Sequence, residues 1–95
     1  MFVVLLRFSA NKANAAPLMD GHSAWLTRGF DDGTFLLAGN LQPRAGGGIL
    51  AHNISREDLD ARISEDPFVA EDVVTAEIIE ITPGRTDQRL EFLKA

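Results

Sequence analysis

The chain has 95 residues, 45% of them apolar and 24% charged, which suits one folded domain and excludes a disordered chain. Fourteen acidic residues against nine basic ones leave a net charge of −5, which argues against a nucleic-acid partner, since that needs a basic patch. Cysteine is absent, so disulfides, thiolate metal sites and cysteine nucleophiles are excluded.

The opening run Met1–Leu6 is apolar but stops at Arg7, with no basic stretch before it and no small-residue cleavage site after it. It is too short for a signal peptide or a membrane span, so a cytoplasmic protein with no membrane partner is expected. Phe2 to Phe8 reads as a first strand, short and continuously apolar. Phe2, Val4, Leu6 and Phe8 fall on one side of it, and Val3, Leu5 and Arg7 on the other. After a polar connection at Asn11–Asn14, a helix is expected from about Ala16, with Pro17 in its first turn, where the missing N–H costs nothing. Leu18, His22, Trp25, Leu26 and Gly29 recur at helical spacing and share one face, which places His22 in the second turn. Asp31-Asp32-Gly33 ends that helix.

Thr34 to Gly39 reads as a second strand, and Leu41 to Gly48, with Pro43 and three successive glycines, as a hairpin loop. Ile49 to Ile54 would be the returning third strand. Ser55-Arg56-Glu57-Asp58 resembles a capping box and opens a second helix, with Leu59 and Ile63 as its buried stripe. Pro67 stops that helix, so Asp66 closes it. Val73 to Ile81 is the fourth strand, ended by Pro83-Gly84. The whole, 1–95, is one domain: a core over 1–83 and a charged tail over 84–95, with Leu90, Phe92 and Leu93 as anchoring candidates.

The order β-α-β-β-α-β predicts an α+β, ferredoxin-like domain, a four-stranded antiparallel sheet with two helices on one face. Yet the first two strands are apolar on both faces, and the fourth carries both Ile78 and Ile79. A sheet with one face in water alternates more cleanly. A second copy of the sheet is the simplest cover, so a homodimer is expected.

This topology brings the start of the first helix and the end of the second to one edge of the sheet. His22, Asp66, Arg7 and the glycine-bearing hairpin from Gly39 gather there, as a small-molecule pocket requires. An imidazole can take and return a proton near neutral pH, and a carboxylate on its other nitrogen fixes the tautomer. No nucleophile is evident beside the pair, because Ser23 points about 100° away around the helix. Proton transfer or elimination is therefore favoured over acyl-enzyme chemistry. Each residue also has a plainer reading. His22 could be a satisfied core histidine, Asp66 a residue bonded to nearby backbone, and Arg7 a partner for one of the many acids. His52, in the third strand, is expected to face solvent or the dimer surface and is set aside. The two histidines and scattered carboxylates show no metal-ligand spacing, so no metal and no cofactor are expected.

The residues that carry chemistry also carry a resemblance. His22 on the first helix, the glycine closing Leu36-Leu37-Ala38-Gly39, and Asp66-Pro67-Phe68-Val69 after the second helix resemble the YCII-related domain family, from the first strand to about Pro83. Two features depart from its pattern: Leu18-Met19 stands one turn before the histidine, where many relatives have an arginine, and Gly46-Gly47-Gly48 replaces a Gly-Ser. The resemblance implies a dimeric α+β barrel built from ferredoxin-like subunits, with a histidine–aspartate pair in a pocket, onto which His22 and Asp66 fall. One branch is similar to a dehydrochlorinase acting on a chlorinated hydroxyhydroquinone, implying lyase chemistry without an organic cofactor. The expectation is a lyase-like or isomerase-like enzyme with His22 and Asp66 catalytic and Arg7, Gly39 and Phe68 at an unknown small-molecule substrate. The alternative is a dimer that only binds a small ligand, or only mediates an interaction.

Overall fold

The computed structural model describes residues 1–94; Ala95, the last residue of the expected tail, lies outside the described residues. Four strands form one antiparallel sheet: β1 (Phe2–Phe8), β2 (Phe35–Leu41), β3 (Gly46–Ala51) and β4 (Val74–Glu80). They lie in the order β2-β3-β1-β4, with the first strand in the middle, flanked by β3 and β4. Among the described residues three α-helices accompany them: α1 (Met19–Asp31), α2 (Arg56–Ser64) and a single turn, α3 (Pro67–Ala70). This is the ferredoxin-like arrangement the sequence predicts. Among the described residues no helix is long and apolar enough to cross a membrane.

The alternation along β1 decides which face is covered. Phe2, Val4 and Leu6 are buried, while Val3 and Leu5 are half-buried and Arg7 is exposed. Trp25 of α1, Leu59 and Ile63 of α2 and Phe68 of α3 meet Phe2, Val4 and Leu6 on that inner face. The indole of Trp25 donates to the Arg62 carbonyl at 2.9 Å, which satisfies its one polar atom and ties α1 to α2. Ser55 caps α2 as expected, accepting the Asp58 backbone N–H at 3.0 Å. In β2, the register advances by two residues, from Phe35 to Leu37, while β3 moves only from Ala51 to Leu50. Leu36 is therefore an extra residue, a bulge that lets Phe35 face the core and Leu37 face outward.

Three boundaries depart from the sequence reading. α1 begins three residues later than expected, because Ala16–Leu18 forms a 3-10 turn around Pro17. His22 consequently sits in the first turn of α1, not the second. The connection between β2 and β3 is only Gln42–Ala45, and the three glycines belong to β3 itself, which ends at Ala51. Their backbones pair with Arg7, Leu6 and Leu5 on one side and with β2 on the other, so the hydrogen bonds are made although the side chains are missing. Gly46 has φ +135°, and a Cβ there would lie 1.9 Å from the Leu6 carbonyl oxygen. Only glycine fits at that point. In the tail, Gln88–Lys94 forms a 3-10 segment whose Phe92 ring meets His52 edge-on, at 5.5 Å between centroids.

Candidate functional site

α1 and α3 meet above the end of the sheet where β1 finishes and β2 turns into β3. The approach is close. A Cβ at Gly21 would stand 3.1 Å from Pro67 Cγ, so a bare backbone there lets the two helices touch beside His22.

Asp66 does not close α2, which ends at Ser64. It is the N-cap of α3, with extended backbone and Pro67 in the first position, and its Oδ1 accepts the Phe68 backbone N–H at 3.1 Å. The reason is the proline, which pushes the residue before it into extended conformation and so starts a new helix. The electrostatics reverse with it: a carboxylate at a helix N-terminus is favourable, where one at a C-terminus is not.

The same Oδ1 lies 2.8 Å from His22 Nδ1. Asp66 is fully buried and the His22 side chain is 15% exposed. An oxygen that already accepts a backbone N–H is an acceptor to the ring as well, so Nδ1 carries the hydrogen and donates it. Nε2 is then the free nitrogen, and it makes no hydrogen bond among the described residues. The Phe68 ring lies flat on the imidazole, 4.1 Å between centroids and 8° from parallel, and Trp25 stands 5.9 Å away on a 28° tilt. The ring is thus held by a hydrogen bond on its edge and aromatic contact on its face. Asp66 Oδ2 is buried and has no hydrogen-bond partner among the described residues. Such a group is costly in a folded interior, and it leaves His22 as the one side chain that answers the carboxylate.

Beside this pair is a cavity of about 320 Å³, at the small end of the range for ligand sites. Leu6, Phe8, Leu26, Ile49, Phe68 and Val74 supply apolar walls; His22, Ser23 and Asn40 supply polar side chains; the backbones of Gly39 and Gly46–Gly48 complete it. Such a site can hold a small molecule against an imidazole that has one nitrogen fixed and one free.

Of the residues singled out from sequence, His22 and Asp66 are in contact, and His22, Phe68 and Gly39 line the cavity. Arg7 does not. It lies on the outer face of the sheet, paired with Glu77 of β4, because residues 6 and 8 point inward and 7 must point outward. Ser23 is at the wall, although its helical position turns it away from His22. His52 follows β3 at the other end of the strand, where Nε2 bonds the Gly33 carbonyl at 3.0 Å. Asn40 and Gly47 entered the sequence reading only as part of the hairpin placed at the pocket, and neither was singled out. Once β3 is paired with β1, Gly47 stands opposite Leu6 and Asn40 opposite Gly47, which puts all three on the inner face. Among the described residues no three His, Asp or Glu side chains converge as a metal-binding set. Neither a protein-family model nor a curated protein matches the chain.

Proposed function

We propose that the protein is a cofactor-independent enzyme, of lyase or isomerase type, that moves a proton on a small molecule in this cavity. His22 Nε2 takes and returns the proton. Asp66 is the positioning residue, holding the ring by Nδ1 and facing the imidazolium as it forms. The observation that carries the reading is the 2.8 Å contact between a fully buried carboxylate and a histidine whose other nitrogen is free at a cavity wall. The resemblance to the YCII-related domain family points the same way.

We also read the molecule as a homodimer joined through the outer face of its sheet. Leu37, Leu50, Val3 and Ile79 lie side by side across all four strands on that face, and Leu37 is 54% and Ile79 41% exposed. A row of this kind can meet its own copy about a two-fold axis.

The catalytic reading is tested by deuterium uptake in D₂O, followed by proton NMR on enolisable ketones, diketones and halogenated hydroquinones. With wild type, at least one compound should exchange, or lose its halide, at least about a hundredfold faster than with His22→Gln. Asp66→Asn should lie between the two, because the imidazole remains but loses its fixed orientation. If wild type and His22→Gln behave alike across the panel, the site is not an acid–base catalyst.

A further inference from the structure

Apart from His22 the lining of the cavity carries no ionisable side chain among the described residues, and its floor has a gap shaped by a missing side chain. Among the described residues, its lining contains no lysine, arginine, aspartate or glutamate. Arg7 is on the reverse face of the sheet with Glu77, and the Lys12 ammonium lies over the Phe8 ring, 4.8 Å from its centroid, outside the lining. Behind His22 stands the buried charge of Asp66. An anion entering here would give up water for apolar walls with a carboxylate nearby. A cation would find the near oxygen of that carboxylate already taken by His22 and the Phe68 N–H.

Gly47 lies in the middle row of the floor, between Leu6 of β1 and Asn40 of β2. A Cβ built on it would meet nothing nearer than the Gly39 carbonyl oxygen at 3.5 Å, so the space over it is open to the cavity. Glycine weakens a strand interior, and in this place it leaves backbone that a ligand can approach closely. Asn40 is exposed beside it, and its amide both donates and accepts.

Resting on the reading of the cavity as a substrate site, we propose that the substrate is an uncharged, largely apolar small molecule. It lies over Gly47 with a hydrogen-bonding group at the Asn40 amide. Gly47 and Asn40 are then the residues that set specificity, by shape and by hydrogen bonding respectively.

The test is NMR titration of the ¹⁵N-labelled full chain with four probes built on one ring, phenol, benzamide, benzoate and benzylammonium, and with toluene as the reference that lacks a polar group. The two neutral probes should shift the amides of Gly46–Gly48, Asn40 and Phe68 and bind at least about tenfold tighter than either ion. Gly47→Val should weaken benzamide about tenfold or more. Asn40→Leu, an exposed position that leaves the core intact, should remove the advantage of benzamide over toluene. Benzoate binding as tightly as benzamide overturns the proposal, as does absence of any shift with the neutral probes at millimolar concentration. So does an Asn40→Leu variant that still prefers benzamide. None of these readouts involves turnover. An inert protein that ranks the probes as stated keeps the specificity and loses the reaction; an active one that prefers benzoate does the opposite.

Discussion

Asp32 shows at the level of one residue how this small domain uses its charges. It ends α1 and receives two hydrogen bonds, from the Arg62 guanidinium of α2 at 2.7 Å and from the Thr34 backbone N–H at 3.0 Å. The guanidinium, first, and the Thr34 contacts, second, hold its carboxyl down at about 2, against an ordinary 3.8. A carboxyl lowered on folding contributes stability above its unfolded value, and that contribution disappears as pH falls toward the folded one. Asp32→Asn should therefore lower the melting temperature at neutral pH, with the difference from wild type closing between about pH 4 and about pH 2. Thermal melts across that window check it; a gap that stays constant down to pH 2 would mean the ion pair contributes nothing. Arg7 carries a second lesson at this scale. Alternation along the first strand already places it opposite Leu6 and Phe8, and that signal outweighs its nearness in sequence to the site.

At the scale of elements, the strands and α2 were legible in the sequence because each has a local cause. β1, β2 and β4 are apolar runs, and Ser55 announces its helix. Two things were not legible. Gly46–Gly48 carry no side chain that favours a strand, and only pairing on both sides with β1 and β2 makes them one. α3 has four residues, too few to display a helical period, although Asp66-Pro67 is in retrospect an N-cap followed by a first-turn proline. Helix-to-sheet packing depends on one position that did look helical. A Cβ on Gly29 would fall 2.0 Å from Cδ2 of the buried Phe35 ring, so α1 rests directly on β2 there. Gly29→Ala should destabilise the fold by about 1–3 kcal/mol through overpacking, which outweighs the helix-propensity gain of up to about 1 kcal/mol. Urea unfolding measures the balance; a stabilised variant would mean that Phe35 turns aside at no cost.

For the molecule as a whole, the sheet poses the question that composition raised first. One face is covered by three helices, and the other presents Leu37, Leu50, Val3 and Ile79 in a row, with Arg7 and Glu77 beside it. A chain of this size buries a modest share of its surface alone, so closing this face against a copy adds core that the monomer lacks. Sedimentation equilibrium at micromolar concentration should give twice the 10.4 kDa of one chain, and Leu37→Lys should shift the mass toward the monomer. A wild-type protein that sediments as a folded monomer refutes the dimer.

The position of Trp25 has a further use. It is the one tryptophan, the chain has no tyrosine, and the indole is fully buried 5.9 Å from the imidazole of His22. Ultraviolet emission from this protein therefore comes from a single emitter built into the wall behind the site. Its colour reports whether the core is intact, and its intensity responds to the charge on the neighbouring ring, because a protonated imidazole quenches indole. A change of charge at His22 can thus be followed in real time with no label attached.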